Sequence, residues 1–504
     1  MTFHSYEAWR PDSDGLNTFD AGEALGVLPR PRGYGPWPSL AALSIDALPT
    51  ACKGAFTART STGTYVVFAG TTTDLYKFAG ITTAWTEVTR SSAVNYAVPA
   101  DGYWSFCQFD DIVIACNGID APQFIDADTG TNFEPVAGSP PVAKYCRVVG
   151  DHLMLFDLTT AQGPVASSGH IQCMWSGLRD YDHWTIGSKS CDFATFFDGG
   201  FVMGGTSLLS GLVFQQKAVN RFVKHFDKIF DFAPIMETQG TESPYSITPH
   251  ESSTYFYGTD GFMAIDLEGV RQIGSGWVDE WFLENCDQTR VNEIVAVMDP
   301  VKMRWMIGFP TSAADAGTFD HMLCFDVLNA ERPWTHAPIT GEYLFSSASA
   351  GWTLTSVAAD YATLTAWDAF GASVGSRVWA GGVPLLSAFN TSHNWAAFAG
   401  PPVDATMQTA RFQPIPGYRA FVNGFRPIDD AAAGTGRVAT TERPQTTVTW
   451  GASSDLNAHG MIPVRASGRY LKMERFIPAG TDWGDAEAKG IDFDGDMIRQ
   501  DGMR

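Results

Sequence analysis

The chain has 504 residues, 45 % of them apolar and 13 % aromatic, with 50 Gly and 28 Pro; this excludes intrinsic disorder and favours turns over long helices. No run of about 18 apolar residues occurs, so no membrane-spanning helix is expected, and the opening M-T-F-H-S-Y-E-A-W-R lacks both the basic and the apolar part of a secretory signal. A net charge of −22, from 33 basic against 55 acidic residues, excludes a protein that grips nucleic acid through a basic face but not one that lets DNA slide past.

Residues 1–48 are turn-rich, and four prolines between Pro29 and Pro38 predict an extended strap rather than a domain. A repeat follows: an apolar strand, a small polar turn and a second short strand ending in a Gly turn. It reads Y-V-V-F-A-G-T-T-T-D-L-Y-K-F-A-G from Tyr65, I-V-I-A-C-N-G-I-D-A-P-Q-F-I-D-A-D-T-G from Ile112 and Y-F-Y-G-T-D-G-F-M-A-I-D-L-E-G from Tyr255. Tyr65 to Ile112 is 47 residues, and Ile112 to Tyr255 is 143, close to three times that. Strand-like stretches at Leu153 and Phe201 fill the gap, Met303 continues the series, and a weaker copy starts at Ala362. Such a period, with about four strands and tight turns per unit, predicts β-propeller blades, six or seven of them between about residues 50 and 378. A large β-sandwich, the rival, needs no regular period.

Two stretches stand apart. Gln215 to Phe232 holds neither Gly nor Pro, and Ala218, Phe222, Phe226 and Phe230 fall at i+4 spacing, which reads as an amphipathic helix or as two strands meeting at a turn. A short helix is expected over residues 278–286, with Asp279 and Glu280 in its first turn. Past residue 378 the repeat is lost. Alternation persists at T-T-V-T-W (446–450) and R-Y-L-K-M-E-R-F (469–476), around the expected exposed loop A-A-A-G-T-G-R-V. The expected fold is all-β: a strap (1–48), a six- to seven-bladed β-propeller (49–378) and a smaller β-sandwich-like domain (379–504).

No motif carries chemistry. The eight cysteines (Cys52, Cys107, Cys116, Cys146, Cys173, Cys191, Cys286, Cys324) form no C-x-x-C pair and mostly sit in apolar stretches, which predicts buried free thiols in a chain made in a reducing cytoplasm. Gly371-Ala372-Ser373-Val374-Gly375 matches G-x-S-x-G, but strand and turn residues follow it where a nucleophile elbow needs a helix. D-F-D-G-D at Asp492–Asp496 fails the EF-hand register, with Gly495 fourth and Met503 twelfth. Ten scattered histidines form no zinc pattern, and R-D-Y-D-H-W, with Asp180, Asp182 and His183, reads as an inter-blade turn that packs Trp184. Asp110, Asp111, Asp260 and Asp266 sit near blade turns, and a glycosidase would need two such carboxylates face to face. No catalytic, cofactor-binding or metal-binding residue is therefore assigned, no cofactor is expected, and the chain is not expected to be an enzyme.

The succession of phrases says more than any one of them. R-G-Y-G-P-W-P-S-L from Arg32 is followed by C-K-G-A-F at Cys52, L-Y-K-F at Leu75 and W-S-F-C-Q-F-D-D-I-V-I-A-C-N-G at Trp104. Then come G-S-P-P-V-A-K-Y at Gly138, M-W-S-G-L-R-D-Y-D-H-W at Met174, T-D-G-F at Thr259, M-D-P at Met298 and S-G-R-Y-L-K-M-E-R-F-I-P-A-G-T-D-W at Ser467. Over about residues 30 to 485 the chain resembles the β-propeller tail proteins of short-tailed bacteriophages, the packaged-DNA stabilisation or tail nozzle proteins. The resemblance implies strands at residues 215–232 and a virion tail component, synthesised in the bacterial host cytoplasm. It implies a ring, a homo-hexamer, below the portal and adaptor proteins and next to tail fibre, spike or tip proteins. Genomic DNA would pass through the lumen without sequence-specific binding. An acidic ring would discourage phosphate from sticking, and the strap would pack against the C-terminal domain or a neighbouring subunit. The alternative is a carbohydrate-binding or glycan-cleaving propeller on the same particle.

Overall fold

The computed structural model describes residues 2–13, 22–79, 83–91, 94–164, 168–207, 210–225, 228–348, 382–443, 447–493 and 497–501. Seven four-stranded antiparallel units follow one another along the chain, six as meanders over residues 55–87, 105–135, 143–195, 202–236, 248–272 and 295–337. The seventh takes Tyr343–Ala348, Pro384–Phe389 and Trp395–Pro402, and its outer strand is Pro38–Ala42 from the N-terminal segment. These are blades 1 to 7 of a closed β-propeller.

Strand alternation builds the ring. In Tyr65–Gly70, Val66 and Phe68 pack toward blade 2, while Val67 and Ala69 pack toward blade 7. In Ile112–Cys116, Val113 and Ala115 face blade 1, while Ile114 and Cys116 face blade 3. A strand covered on both faces reads as an almost continuous apolar run, which is why the repeat is so apolar at its start. Seven buried clusters among the described residues fill the seven inter-blade gaps. Large rings dominate them: Trp305 and Trp334 lie between blades 5 and 6, and Trp395 and Phe389 between blades 7 and 1. Truncating one such ring to alanine typically costs ~3–5 kcal/mol. All eight cysteines are buried in these layers as separate thiols.

The expected domain boundary at 378 moves. Two strands of blade 7 lie beyond it, up to Pro402, and Pro38–Ala42 lies before the expected propeller start at 49. The closing strand comes from the other end of the chain, so no local repeat announces it. The expected copy at Phe201 shifts by one strand. Phe201 precedes the first strand of blade 4, whose second strand is Ser210–Gln215, and Ala362 lies outside the described residues. The stretch 215–232 runs through three strands, Ser210–Gln215, Val219–His225 and Ile229–Met236. The i+4 aromatics Phe222 and Phe230 both face blade 3 across a hairpin, 5.7 Å apart. The expected helix forms at Asp279–Asn285.

The rest is a β-sandwich. One sheet holds Ala420–Ile428, Ile462–Gly468, Gly490–Phe493 and Ile498–Gln500, joined by Thr2–Ser5. The other holds Ala405–Gln408, Tyr470–Ile477, Thr435–Thr441 and Ser454–Asp455. The second sheet does not end there: Ala24–Leu25 pairs with Ala405–Gln408 on one side and, in parallel, with the outer strand of blade 6 on the other. Blade 6 and the sandwich thus share one nine-stranded sheet. Two expectations change here. In the stretch expected to alternate at 446–450, the described residues 447–449 lie in no strand and Trp450 makes an isolated bridge to Ala439. The loop expected at A-A-A-G-T-G-R-V becomes a strand from Thr435, because Gly436 leaves room for Phe425 and Ile462 of the facing sheet, whose atoms a Cβ would meet within 3 Å.

Candidate functional site

The innermost strands of the blades surround a tunnel, which widens into a cavity of about 520 Å³. Its walls come from six blades, among them Phe56 of blade 1, Phe106 of blade 2, Tyr145 and Arg147 of blade 3 and Tyr343 of blade 7. Trp104 sets one wall. Its indole N–H donates to the Thr71 carbonyl at 2.8 Å, and its ring stacks 6.1 Å from Phe106. Only glycine fits against it: a Cβ on Gly70 would lie 2.3 Å from the indole, and one on Gly54, at φ +138°, 2.9 Å from the Trp104 Cβ and carbonyl oxygen. The phrases C-K-G-A-F and W-S-F-C therefore meet in space, with the Trp104 N–H donating to the Lys53 carbonyl at 2.6 Å.

Arg147 is the one charged side chain among the described residues lining this cavity. Its Nη1 donates to Ser105 Oγ at 3.1 Å and to the Cys146 carbonyl at 2.7 Å. Tyr245 also lines the cavity, its hydroxyl accepting the Tyr103 N–H at 3.0 Å and donating to the Tyr103 carbonyl at 3.3 Å. Tyr145, 3 % exposed, has a hydroxyl with no partner. Beside the tunnel, burial pushes the Cys107 and Cys116 thiols well above their ordinary range, so both stay protonated.

A second concavity, about 770 Å³, lies between blades 3 and 4. It carries Asp198, Asp231 and Glu237 beside Gln215 and Asn220, with the 64 % exposed Phe197 at its edge. Sequence reasoning did not single out these residues, because they come from separate turns and strands with no shared spacing.

The aspartates that it did single out stay apart. Asp110 and Asp111 form the first hairpin turn of blade 2, with Asp110 at φ +51°. Asp260 and Asp266 belong to turns at opposite ends of blade 5. The Asp260 carboxylate accepts from Gln239, and Asp266 caps its own turn through the Glu268 and Gly269 N–H groups. Two blades stand between the Asp110–Asp111 turn of blade 2 and the two turns of blade 5, and none of the four residues lines either cavity described above. The Asp180–His183 turn lies within blade 3, between its third and fourth strands, rather than between blades. Asp180 pairs with Lys189 at 2.6 Å, and the Trp184 indole N–H donates to the Tyr181 carbonyl at 2.9 Å. Gly371–Gly375 and Asp494–Asp496 lie outside the described residues. Among the described residues no group of three or more His, Cys, Asp or Glu is placed to hold a metal, and no helix is long and apolar enough to cross a membrane.

No protein-family model matches the chain, and no curated protein matches its sequence. In fold it is similar to BBS1N, crystallised in complex with ARL6DN (8 % identity, TM-score 0.40, covering 72 % of this chain and 96 % of that one). It is also similar to the extracellular domain of the putative one component system BT4673 from B. thetaiotaomicron (10 % identity, TM-score 0.40, 82 % and 47 % covered). A third similar structure is the Neurospora crassa Pan2 WD40 domain (8 % identity, TM-score 0.35, 63 % and 90 % covered). At these scores the likenesses carry no functional argument; the propeller rests on the strand pairing itself.

Proposed function

We propose that this chain is a structural component of a short-tailed phage tail, a nozzle ring below the portal and adaptor that extends the DNA channel, retains packaged DNA and passes it during ejection. The ordered series of phrases from Arg32 to Trp483 carries the reading, and a propeller fused to a β-sandwich is the architecture that this resemblance implies. The net charge of −22 per chain suits a conduit that must not bind phosphate. Leu267, Val301 and Leu328, exposed by 74, 63 and 72 %, stand on turns at the same end of neighbouring blades 5 and 6. Apolar side chains so placed suit a contact with another subunit. In this reading no residue is catalytic, and the partners are further copies of the chain, the adaptor and portal, and the fibre, spike or tip proteins.

Native mass measurement tests it. One chain is 54.7 kDa, and a species near six times that mass is expected, alone or on an adaptor ring. The double substitution L267D/L328D is expected to return it to single chains without lowering its melting temperature. A wild-type chain that stays monomeric in both settings overturns the reading.

The groove between blades 3 and 4 favours a second reading. An exposed Phe197 beside carboxylates and amides suits a sugar ring, with apolar stacking on one face and hydrogen bonds at its edge. Under that reading a glycan screen gives hits that F197A and D231N abolish.

A further inference from the structure

The central tunnel of the propeller is a built site rather than a gap between blades. Its walls are aromatic on several sides, its volume of about 520 Å³ is that of a small-molecule pocket, and no carboxylate is among the described residues lining it. In a chain with 55 acidic and 33 basic residues, a lining whose only charge is positive is a local exception.

The geometry of that charge is specific. Ser105 and the Cys146 carbonyl hold Arg147 through Nη1, which orients the guanidinium plane. Among the described residues, Arg147 makes no ion pair, and no hydrogen bond uses its Nε or Nη2. Those two donors form the fork that matches the two oxygens of a carboxylate. Close by in sequence and in the same wall, the Tyr145 hydroxyl is buried and unpartnered. A buried hydroxyl left unpaired carries a desolvation cost, so a ligand group that pairs with it recovers that cost. Phe56 and Phe106, stacked 6.3 Å apart, and Trp104 offer flat apolar surface to whatever the arginine holds.

We propose that the tunnel binds a small aromatic carboxylate, its carboxyl group on the open fork of Arg147, a polar edge at the Tyr145 hydroxyl, and its ring against Phe56, Phe106 and Trp104. The site belongs to a single chain and is independent of whether the chain forms a ring.

Calorimetric titration of the full chain with 2-naphthoate, and separately with its neutral analogue 2-naphthylmethanol, tests this. One site per chain is expected, with the acid bound about tenfold or more tighter than the alcohol, since charge-assisted bidentate pairing is lost in the latter. R147Q is expected to remove that preference, and Y145F to weaken 6-hydroxy-2-naphthoate, whose hydroxyl supplies the polar edge, about threefold or more while leaving 2-naphthoate unchanged. Equal binding of acid and alcohol by the wild type, no binding of the acid up to millimolar concentration, or an unchanged preference in a folded R147Q each overturns the proposal. The wild-type comparison decides the matter even if a variant does not fold.

Discussion

The N-terminal segment adds a strand to the propeller at two places, and the two work differently. Pro38–Ala42 closes blade 7 at its outer edge. Ala42, Ala41 and Leu40 pair in antiparallel register with Ala396, Ala397 and Phe398, and the Leu43 N–H donates to the Trp395 carbonyl at 2.9 Å. Its residues are mostly half-buried, so backbone pairing supplies much of its hold. Ala24–Leu25 is only two residues long but lies in the middle of a nine-stranded sheet. Side chains secure it. Glu23 accepts from His336 Nε2 at 2.5 Å, His336 Nδ1 accepts from His321 Nε2 at 2.9 Å, and Trp9 stacks 4.2 Å from the His336 ring. Upstream, Asp12 accepts the Glu280 and Trp281 N–H groups, both at 2.8 Å, at the start of the short helix. A closing strand can be almost any sequence that tolerates an edge, whereas a two-residue bridge requires particular neighbours.

Truncation gives the largest effect and separates the two roles. A chain starting at Leu43 loses both strands, leaves blade 7 with three strands and an open edge, and is expected to lose its cooperative melting transition and to aggregate. A chain starting at Val27 keeps the closing strand. It is expected to retain a propeller transition by calorimetry while the sandwich melts earlier, since Thr2–Ser5 and the bridge are gone. Identical behaviour of the two chains would mean that closure and bridging are one event.

Next in size is the buried pair of the sandwich. Arg475 and Asp429 are 0 and 1 % exposed, with Nε 3.0 Å and Nη2 3.2 Å from the carboxylate oxygens. Asp429→Ala leaves the guanidinium buried without its counter-charge and is expected to cost ~3–5 kcal/mol by denaturant unfolding. The double change D429L/R475M, which removes both charges, is expected to cost much less. If it costs as much as the single change, packing rather than charge explains the site.

The smallest effect is a pH dependence at the bridge. Burial, together with the neighbouring His336, lowers His321 to about 4, against the partial opposition of Asp320 and Glu23. A lowered histidine favours the neutral fold, so its contribution is complete above about pH 6.5 and falls away as the pH drops through that value toward 4, by an amount on the order of 2 kcal/mol. Asp279, pushed up to about 6 chiefly by burial, acts with the opposite sign over part of the same range. The difference in stability between wild type and H321Q, followed from pH 7 to pH 4, isolates the histidine. A difference that does not change with pH would show that the bridge is held without it.

Much of this fold is legible in the amino-acid sequence. Blade strands announce themselves because both faces of each are buried, which forces apolar runs such as Y-V-V-F-A-G and I-V-I-A-C between turn residues at intervals near 47. The eight buried thiols follow from the same layers. The tunnel was not legible. Phe56, Trp104, Arg147 and Tyr343 are far apart along the chain and share no spacing, and only closure of the ring brings them to one wall. The one local sign was the pair of glycines, Gly54 and Gly70, whose need became evident only with Trp104 lying over them.

The amino-acid sequence by itself determined that this chain would be all-β and would stack repeated four-strand units, because alternation, turn residues and ring-rich apolar runs are local properties. Tertiary structure alone decided that the units number seven, that the last is completed from residues 38–42, and that blade 6 continues into the sandwich through Ala24–Leu25. It also bore out, at Phe222, Phe230 and Phe232, the strands that the resemblance implied over 215–232 in place of the helix that the i+4 spacing allowed. The reason is physical: a strand's partner is chosen by backbone hydrogen bonds, which every sequence offers alike, and by side chains that meet only once distant segments have come together.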